Sequence, residues 1–353
     1  MRKLIGAIVL LLTIVFVLTR MADIEQVVRT FQRGDARWLA LAVLVHAVAV
    51  LNTGMMLQAV YRVLGMQEKI GRLTLVSLAS SFFTVVTTSG AWGGLAIFIA
   101  DGRKRGLPGA RVAVAAALYY LYDFVSALVL VGLGLLVLFR RNRLGGGEVA
   151  AATILAVYAV VLAIWLYLGF RSPERLGSLL EWGGRQINRL LRPIVRKEYI
   201  DVSRARQVAL DMGAGLSDAR RSPEGMLLPI ALGLSQKALM VSVLFLVFMA
   251  FRQGFSVGTL IAGFGLSYLF TVVTPTPAGI GFVEGLLTLG LNGLGVPLAS
   301  AAVITLAYRG ISLWLVLAYG MLAMRWIGAG PTPSPPAATP DEAATPQANL
   351  EQQ

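Results

Sequence analysis

The sequence predicts an all-α polytopic membrane protein of about eight transmembrane helices plus two re-entrant half-helices in an inverted repeat. Three observations predict it. Of the 353 residues, 57% are apolar and only 14% charged, whereas a soluble domain carries about 25% charged residues. The apolar residues fall in runs close to the about 20 residues that a bilayer core requires. Two further runs are interrupted by Gly and Pro at matching places along the chain. A water-soluble globule of this size could not hide so much apolar surface, so a secreted domain, a cytosolic enzyme and a disordered chain are excluded.

The runs follow in order. Leu4–Leu18, flanked by Arg2, Lys3 and Arg20, reads as an anchor rather than a cleaved signal, because no small-x-small site follows it. Trp38–Leu64 is the second span, and Leu73–Thr88 is a short third. Val112–Leu138, Val149–Phe170 and Met226–Phe251 are the fourth, fifth and sixth. Val257–Val273 is again short, and Leu298–Met324 is the eighth. Together they make one membrane domain over residues 1–328, followed by a Pro- and Ala-rich tail over 329–353 that is expected to be disordered. The 171–225 loop carries Leu176, Leu179, Leu180, Ile187, Leu190 and Leu191 against Arg175, Arg185, Arg189 and Arg192, the pattern of an amphipathic helix on a membrane surface.

Two segments do not fit simple spans. Thr87-Thr88-Ser89-Gly90-Ala91-Trp92-Gly93-Gly94 follows the third span, and Thr274-Pro275-Thr276-Pro277-Ala278-Gly279-Ile280-Gly281 follows the seventh. Each leads into an apolar piece too short to cross. Broken helix at membrane depth is tolerated where protein buries it or a wet cavity adjoins it, so both read as half-helices that turn back. Sliding the chain by 189 positions puts Gly90 on Gly279, Gly106 on Gly295, Pro108 on Pro297 and Tyr119 on Tyr308. With a cytoplasmic N-terminus this topology puts 21 Lys and Arg on the cytoplasmic side and eight on the other, which the positive-inside bias favours; both termini are then cytoplasmic and the protein belongs in the cell (plasma or inner) membrane. The two units run in opposite senses, the pattern of transporter folds with a site near the midplane.

The net charge is +13, from 31 basic and 18 acidic residues. The basic residues lie between apolar runs and show no interleaving with aromatics, so anionic lipid and not nucleic acid is the expected partner. There is no cysteine and one histidine, His46, so no metal and no cofactor is expected. His46 is expected to be a buried hydrogen-bonding residue rather than a proton relay. No Walker motif, nucleophile elbow or paired carboxylates in a polar loop are present, and the chain is not expected to be an enzyme. Gly132, Gly134, Gly263 and Gly265 are expected at close helix packing.

Asp123, Lys237, Glu284 and Arg309 lie within apolar runs. A charge at the bilayer centre costs about 2.5–3.5 kcal/mol, so each should face a partner or a cavity. The functional reading is a polar path; the bland one is structural pairing, for instance of Glu284 with Arg309. Lys237 lies far enough from the middle of its span to snorkel. Tyr119, Tyr120 and Tyr122 flank Asp123 and either hydrogen-bond it, line a groove or simply pack. An Arg fork and a half-helix N-terminus both suit phosphate.

The run Pro275-Thr276-Pro277-Ala278-Gly279-Ile280-Gly281-Phe282-Val283-Glu284, then Gly295-Val296-Pro297 and Tyr308-Arg309, resembles the lysylphosphatidylglycerol synthase transmembrane-region family, also called flippase-like or UPF0104 proteins. The likeness covers about residues 1–328. Ala278 stands where that family has Gly, a minor departure, and Leu95 where many members have a carboxylate. The resemblance implies the flippase-like part without the soluble synthase domain. The inverted repeat and the four intramembrane charges lead to the reading of translocation or binding of an anionic or aminoacyl- or glyco-modified lipid, with Arg309, Glu284, Lys237, Asp123, Gly279, Gly281, Pro277 and Tyr308 expected at the substrate. The rival reading is a non-transporting scaffold or regulator of a lipid- or glycolipid-synthesis enzyme, working through the basic loop.

Overall fold

The computed structural model describes residues 29–86, 91–143, 145–171, 227–274 and 276–327, with Glu25 and Gly225 beside them. The expected first span, the amphipathic 171–225 loop and the tail lie outside the described residues, as does the start of the first break. Among the described residues the fold is all-helical. In order the helices are α1 (Ala36–Val63), α2 (Ile70–Val86), α3 (Ala91–Lys104), α4 (Gly109–Arg140) and α5 (Gly146–Arg171). Then come α6 (Leu227–Ala250), α7 (Val257–Val273), a short 3₁₀ turn at Pro277–Gly279, and α8 (Phe282–Gly293). α9 (Leu298–Arg309) passes through a π-helical turn (Gly310–Trp314) into α10 (Leu315–Ile327).

Among the described residues four helices are long and apolar enough to cross a membrane: α1, α4, α6 and the continuous Leu298–Ile327 run. The apolar helices α2 and α7 have 17 residues each, or about 25 Å. Large apolar side chains face outward along α1 (Leu44, Val48, Leu51) and α4 (Val125, Val129, Leu133, Leu136). Exposed apolar stripes of that length belong against lipid.

Local chemistry sets the helix ends. Asp35 caps α1 by accepting from Arg37 N at 3.0 Å, and Ser256 caps α7 by accepting from Thr259 N at 3.1 Å. Pro108 and Pro297 stand at the N-caps of α4 and α9, where a missing N–H is harmless. The Gly-x-Pro turns before them bend alike: Leu107 N donates to Gly102 O at 2.9 Å and Val296 N to Leu291 O at 3.1 Å. Other bonds recur at a fixed spacing along the chain. α1 ends with Met66 N donating to Tyr61 O at 2.9 Å, and α6 with Gln253 N donating to Phe248 O at 3.0 Å. These bonds and the bounds of α2 and α7 correspond at a spacing of 187 residues, whereas the Gly-x-Pro turns correspond at 189. The single register of 189 is therefore corrected: the second break is two residues longer, through its Thr-Pro-Thr-Pro run.

Each short helix folds back through its break. Arg72 near the start of α2 pairs with Asp101 near the end of α3, and Arg105 Nε meets Glu68 Oε1 at 2.7 Å. That hairpin opens at the end of the bundle where α4 begins. At the other end, where α4 stops, Arg141 donates to Ser256 Oγ at 2.8 Å and Leu294 O at 3.4 Å. This joins the start of α7 to the end of α8. The two hairpins thus open on opposite ends of α4. α4 packs along α7, α10 along α2, and α1 along α6. Gly134 and Gly265 allow the α4–α7 crossing: a Cβ on Gly134 would sit 3.2 Å from Ala262 Cα, and one on Gly265 3.5 Å from Val131 Cα. Gly263 packs on Leu244 and Leu291. Gly132, by contrast, faces open space and is exposed, so the expectation of close packing is corrected there.

Candidate functional site

The helices line a partly open cavity of about 310 Å³. α1, α2, α4, α6, α7 and α9 all contribute to its wall, as does Ser312 in the π-helical turn. Asp123, Lys237, Arg309 and Tyr308 from the sequence reading line it. Lys237 does not snorkel. Its side chain is 5% exposed, and its Nζ donates to Asp123 Oδ1 at 2.5 Å. Tyr268 OH donates to the other carboxylate oxygen, Oδ2, at 2.7 Å, and Lys237 Nζ lies 4.4 Å from the Tyr268 ring centroid. The tyrosine that grips Asp123 thus comes from α7 and not from its own sequence neighbours; Tyr119 lines the cavity beside it.

The second pair sits at the second break. Arg309 Nε donates to Glu284 Oε1 at 2.9 Å, and Arg309 Nη2 to Ala278 O at 2.7 Å. Glu284 Oε2 accepts from Gly281 N at 2.7 Å, closing the first turn of α8 from its third position. Arg309 therefore staples the break to α9. Ala278, Gly279 and Gly281 have φ of 51°, 70° and 88°. Two of these suit glycine. Ala278 does not, so its departure from glycine is more than minor: left-handed backbone costs a non-glycine residue about 1–2 kcal/mol. Pro277 opens the 3₁₀ turn at this break. Leu95, on α3, packs into the apolar core around Phe98 and Val112.

All four intramembrane charges are thus brought together in two pairs, as the bland reading allowed for Glu284 and Arg309. Yet three of the four face the cavity, so the pairs are also its polar wall. The formal charges of the pairs cancel. Removing one member of a buried pair strands the other, at about 3–5 kcal/mol.

Sequence reasoning missed Tyr268 and the hydroxyl lining of Thr53, Ser77, Ser81, Ser267 and Thr271. Their signal was present as Ser and Thr recurring at helical spacing on α2 and α7. It also placed His46 among hydrogen-bonding core residues. His46 is 3% exposed and lines the cavity, but neither ring nitrogen has a hydrogen-bond partner among the described residues. The hydrogen-bonding expectation for it is corrected. Asn52, one and a half turns further along α1, does bond across to α6, to Leu232 O at 2.9 Å and Gln236 Oε1 at 3.2 Å.

Outward apolar stripes around an ion-paired, hydroxyl-lined centre define a multi-pass membrane protein with a polar internal site. The chain belongs to the family described as "Lysylphosphatidylglycerol synthase TM region", whose profile matches residues 4–320. A UPF0104 membrane protein of Methanothermobacter thermautotrophicus is 23% identical over 208 residues, which cover 59% of this chain and 60% of that relative. No solved structure matches the chain.

Proposed function

We propose that this protein moves a lipid headgroup between leaflets through the central cavity while the acyl tails stay in the bilayer. The observation that carries this reading is the cavity itself: two buried ion pairs and a hydroxyl lining around about 310 Å³. That volume is at the lower end for a ligand pocket and suits a headgroup rather than acyl chains. Arg309 and Lys237 contact the headgroup phosphate, with Tyr308 beside Arg309. Glu284 and Asp123 hold these cations in the empty state and release them to the ligand. Gly279 and Gly281 let the break's backbone approach the headgroup, and Pro277 ends the helix there.

In this reading the chain has about eight spans and two re-entrant hairpins, related as an inverted repeat. What supports the inversion is the packing: α2–α3 opens where α4 begins, α7–α8 opens where α4 ends, and the cross-packing α4 on α7 and α10 on α2 is reciprocal. The site then lies where the halves meet. Cytoplasmic termini, a cell-membrane location, anionic or modified lipids as the ligand, and the absence of a catalytic step complete the proposal. The test uses proteoliposomes containing tail-labelled fluorescent lipid and reads the fraction reaching the outer leaflet with time. Arg309→Ala is expected to slow movement at least about tenfold, the loss of one charged contact. Equal rates for the variant and the unaltered protein remove the proposed role.

A further inference from the structure

The wall of the cavity formed by α1 and α2 differs in chemistry from the wall that carries the cations. Gly54 lies so close to α2 that a Cβ there would fall 1.9 Å from Thr74 Oγ1. The helices are antiparallel, so stepping about two turns from that contact, back along α1 and forward along α2, brings His46 level with Ser81. Thr53 and Ser77 line the cavity between them and that contact. Each of the three hydroxyls donates its proton to its own helix: Thr53 Oγ1 to Ala49 O at 3.1 Å, Ser77 Oγ to Leu73 O at 2.8 Å and Ser81 Oγ to Ser77 O at 2.9 Å. A hydroxyl has one proton, so these groups offer the cavity only lone pairs. His46, neutral, adds one acceptor and one N–H, both without a partner among the described residues. A buried polar atom left unpaired is costly, so this imidazole is built to meet something that enters. Acceptors therefore outnumber donors among these four residues, whereas Lys237 and Arg309, which also line the cavity, are donors only.

We propose that His46, with Thr53, Ser77 and Ser81, forms a headgroup subsite that selects N–H or O–H donors next to a phosphate; this rests on the headgroup reading of the cavity. The phosphate lies toward Lys237 and Arg309, and the rest of the headgroup donates to the α1–α2 wall. An ammonium and a hydroxyl both satisfy the subsite. A quaternary choline, with the same phosphate and no donor, does not, and it leaves His46 and three oxygens unsolvated.

The full chain in detergent is equilibrated with an equimolar mixture of dioleoyl phosphatidylglycerol, phosphatidylethanolamine and phosphatidylcholine, and retained lipid is counted by native mass spectrometry. Phosphatidylglycerol or phosphatidylethanolamine is expected to be retained over phosphatidylcholine by about tenfold, the effect of one buried hydrogen bond, and which of the two leads tells hydroxyl from ammonium. His46→Phe is expected to bring the ratio toward one. His46→Gln, which keeps a donor and an acceptor, preserves it, and Ser81→Ala lowers it a few-fold. Equal retention of all three lipids, retention of none, or an unchanged ratio in both His46→Phe and Ser81→Ala overturns the subsite. Selective retention without movement between leaflets removes translocation and leaves the subsite standing. Movement of all three lipids at one rate removes the subsite and leaves translocation standing.

Discussion

Replacing Glu284 and Arg309 singly and together separates holding the fold from meeting a ligand. Glu284→Met leaves Arg309, whose side chain is 5% exposed, bonded only to Ala278 O. A buried cation without its counter-ion costs about 3–5 kcal/mol. Arg309→Met leaves Glu284, which is 21% exposed and keeps its bond from Gly281 N at 2.7 Å; partial solvation holds that cost to about 2–3 kcal/mol. The double variant strands no charge. It loses the bonds to Ala278 O and from Gly281 N, and should lie within about 1–2 kcal/mol of the unaltered protein. Denaturant unfolding in lipid nanodiscs measures the cycle, and lipid movement in proteoliposomes is measured on the same four proteins. The expectation is a double variant that regains stability but stays at least about tenfold slower in transport. Additive costs in the cycle refute the buried-pair argument. Full recovery of transport in the double variant refutes a ligand role for Arg309 and leaves the pair purely structural.

Asp123→Asn is expected to destabilise by about 3 kcal/mol, since it strands Lys237 inside the bundle, while Tyr268→Phe costs about 1 kcal/mol because the ring that faces Lys237 stays; unfolding in nanodiscs reads both. Ala278→Gly relieves about 1–2 kcal/mol of left-handed strain and loses about 0.4–1 kcal/mol to chain entropy, so it should be neutral to slightly stabilising, whereas Ala278→Val should destabilise clearly in the same assay. The sequence has no cysteine, so single cysteines at Lys104 and Asn292 can be labelled in sealed vesicles without a background. They are expected to react from opposite sides; reaction from one side sinks the inverted arrangement.

Much of this fold was legible because bilayer immersion writes it twice, in apolar run length and in Gly and Pro at the breaks. Val257–Val273 was read to the residue, since Ser256 caps one end and Thr274-Pro275 stops the other. Residues Trp38–Leu64 and Leu298–Met324 were read within a few residues, the uncertainty that fraying ends always bring. The four charges were legible as partnered residues because burying them unpaired is costly. Which charge met which was not, except for Glu284 with Arg309, where half-helix and long helix are neighbours. Lys237 reaches Asp123 from 114 positions away, and no local pattern encodes that. Tyr268 hid for the same reason. The tyrosines beside Asp123 looked better placed, but successive residues on a helix point in different directions, so proximity in sequence said little about who reaches the carboxylate. His46 was misread because a lone histidine carries no sequence sign of whether protein or ligand will satisfy it.

In the proposed inverted repeat the site is lopsided. At a spacing of 187, Ser77 and Ser81 of α2 correspond to Phe264 and Tyr268 of α7, and all four line the cavity. Past the breaks the halves part. Leu95 corresponds to Glu284, Tyr120 to Arg309 and Asp123 to Ser312; before the breaks, Val50 on α1 already differs from its counterpart Lys237 on α6. Three of the four charges therefore belong to the second half, and the only charge from the first, Asp123, is held by Lys237 and Tyr268 of the second. A symmetric set would have placed like charges opposite one another in a low-dielectric centre, which is unfavourable. Confining the Glu–Arg staple to one break and adding hydroxyls, His46 and a single carboxylate gives a cavity whose paired formal charges cancel. Under the proposed function, a headgroup moving through would have to exchange partners among these groups rather than slide through a uniform pore.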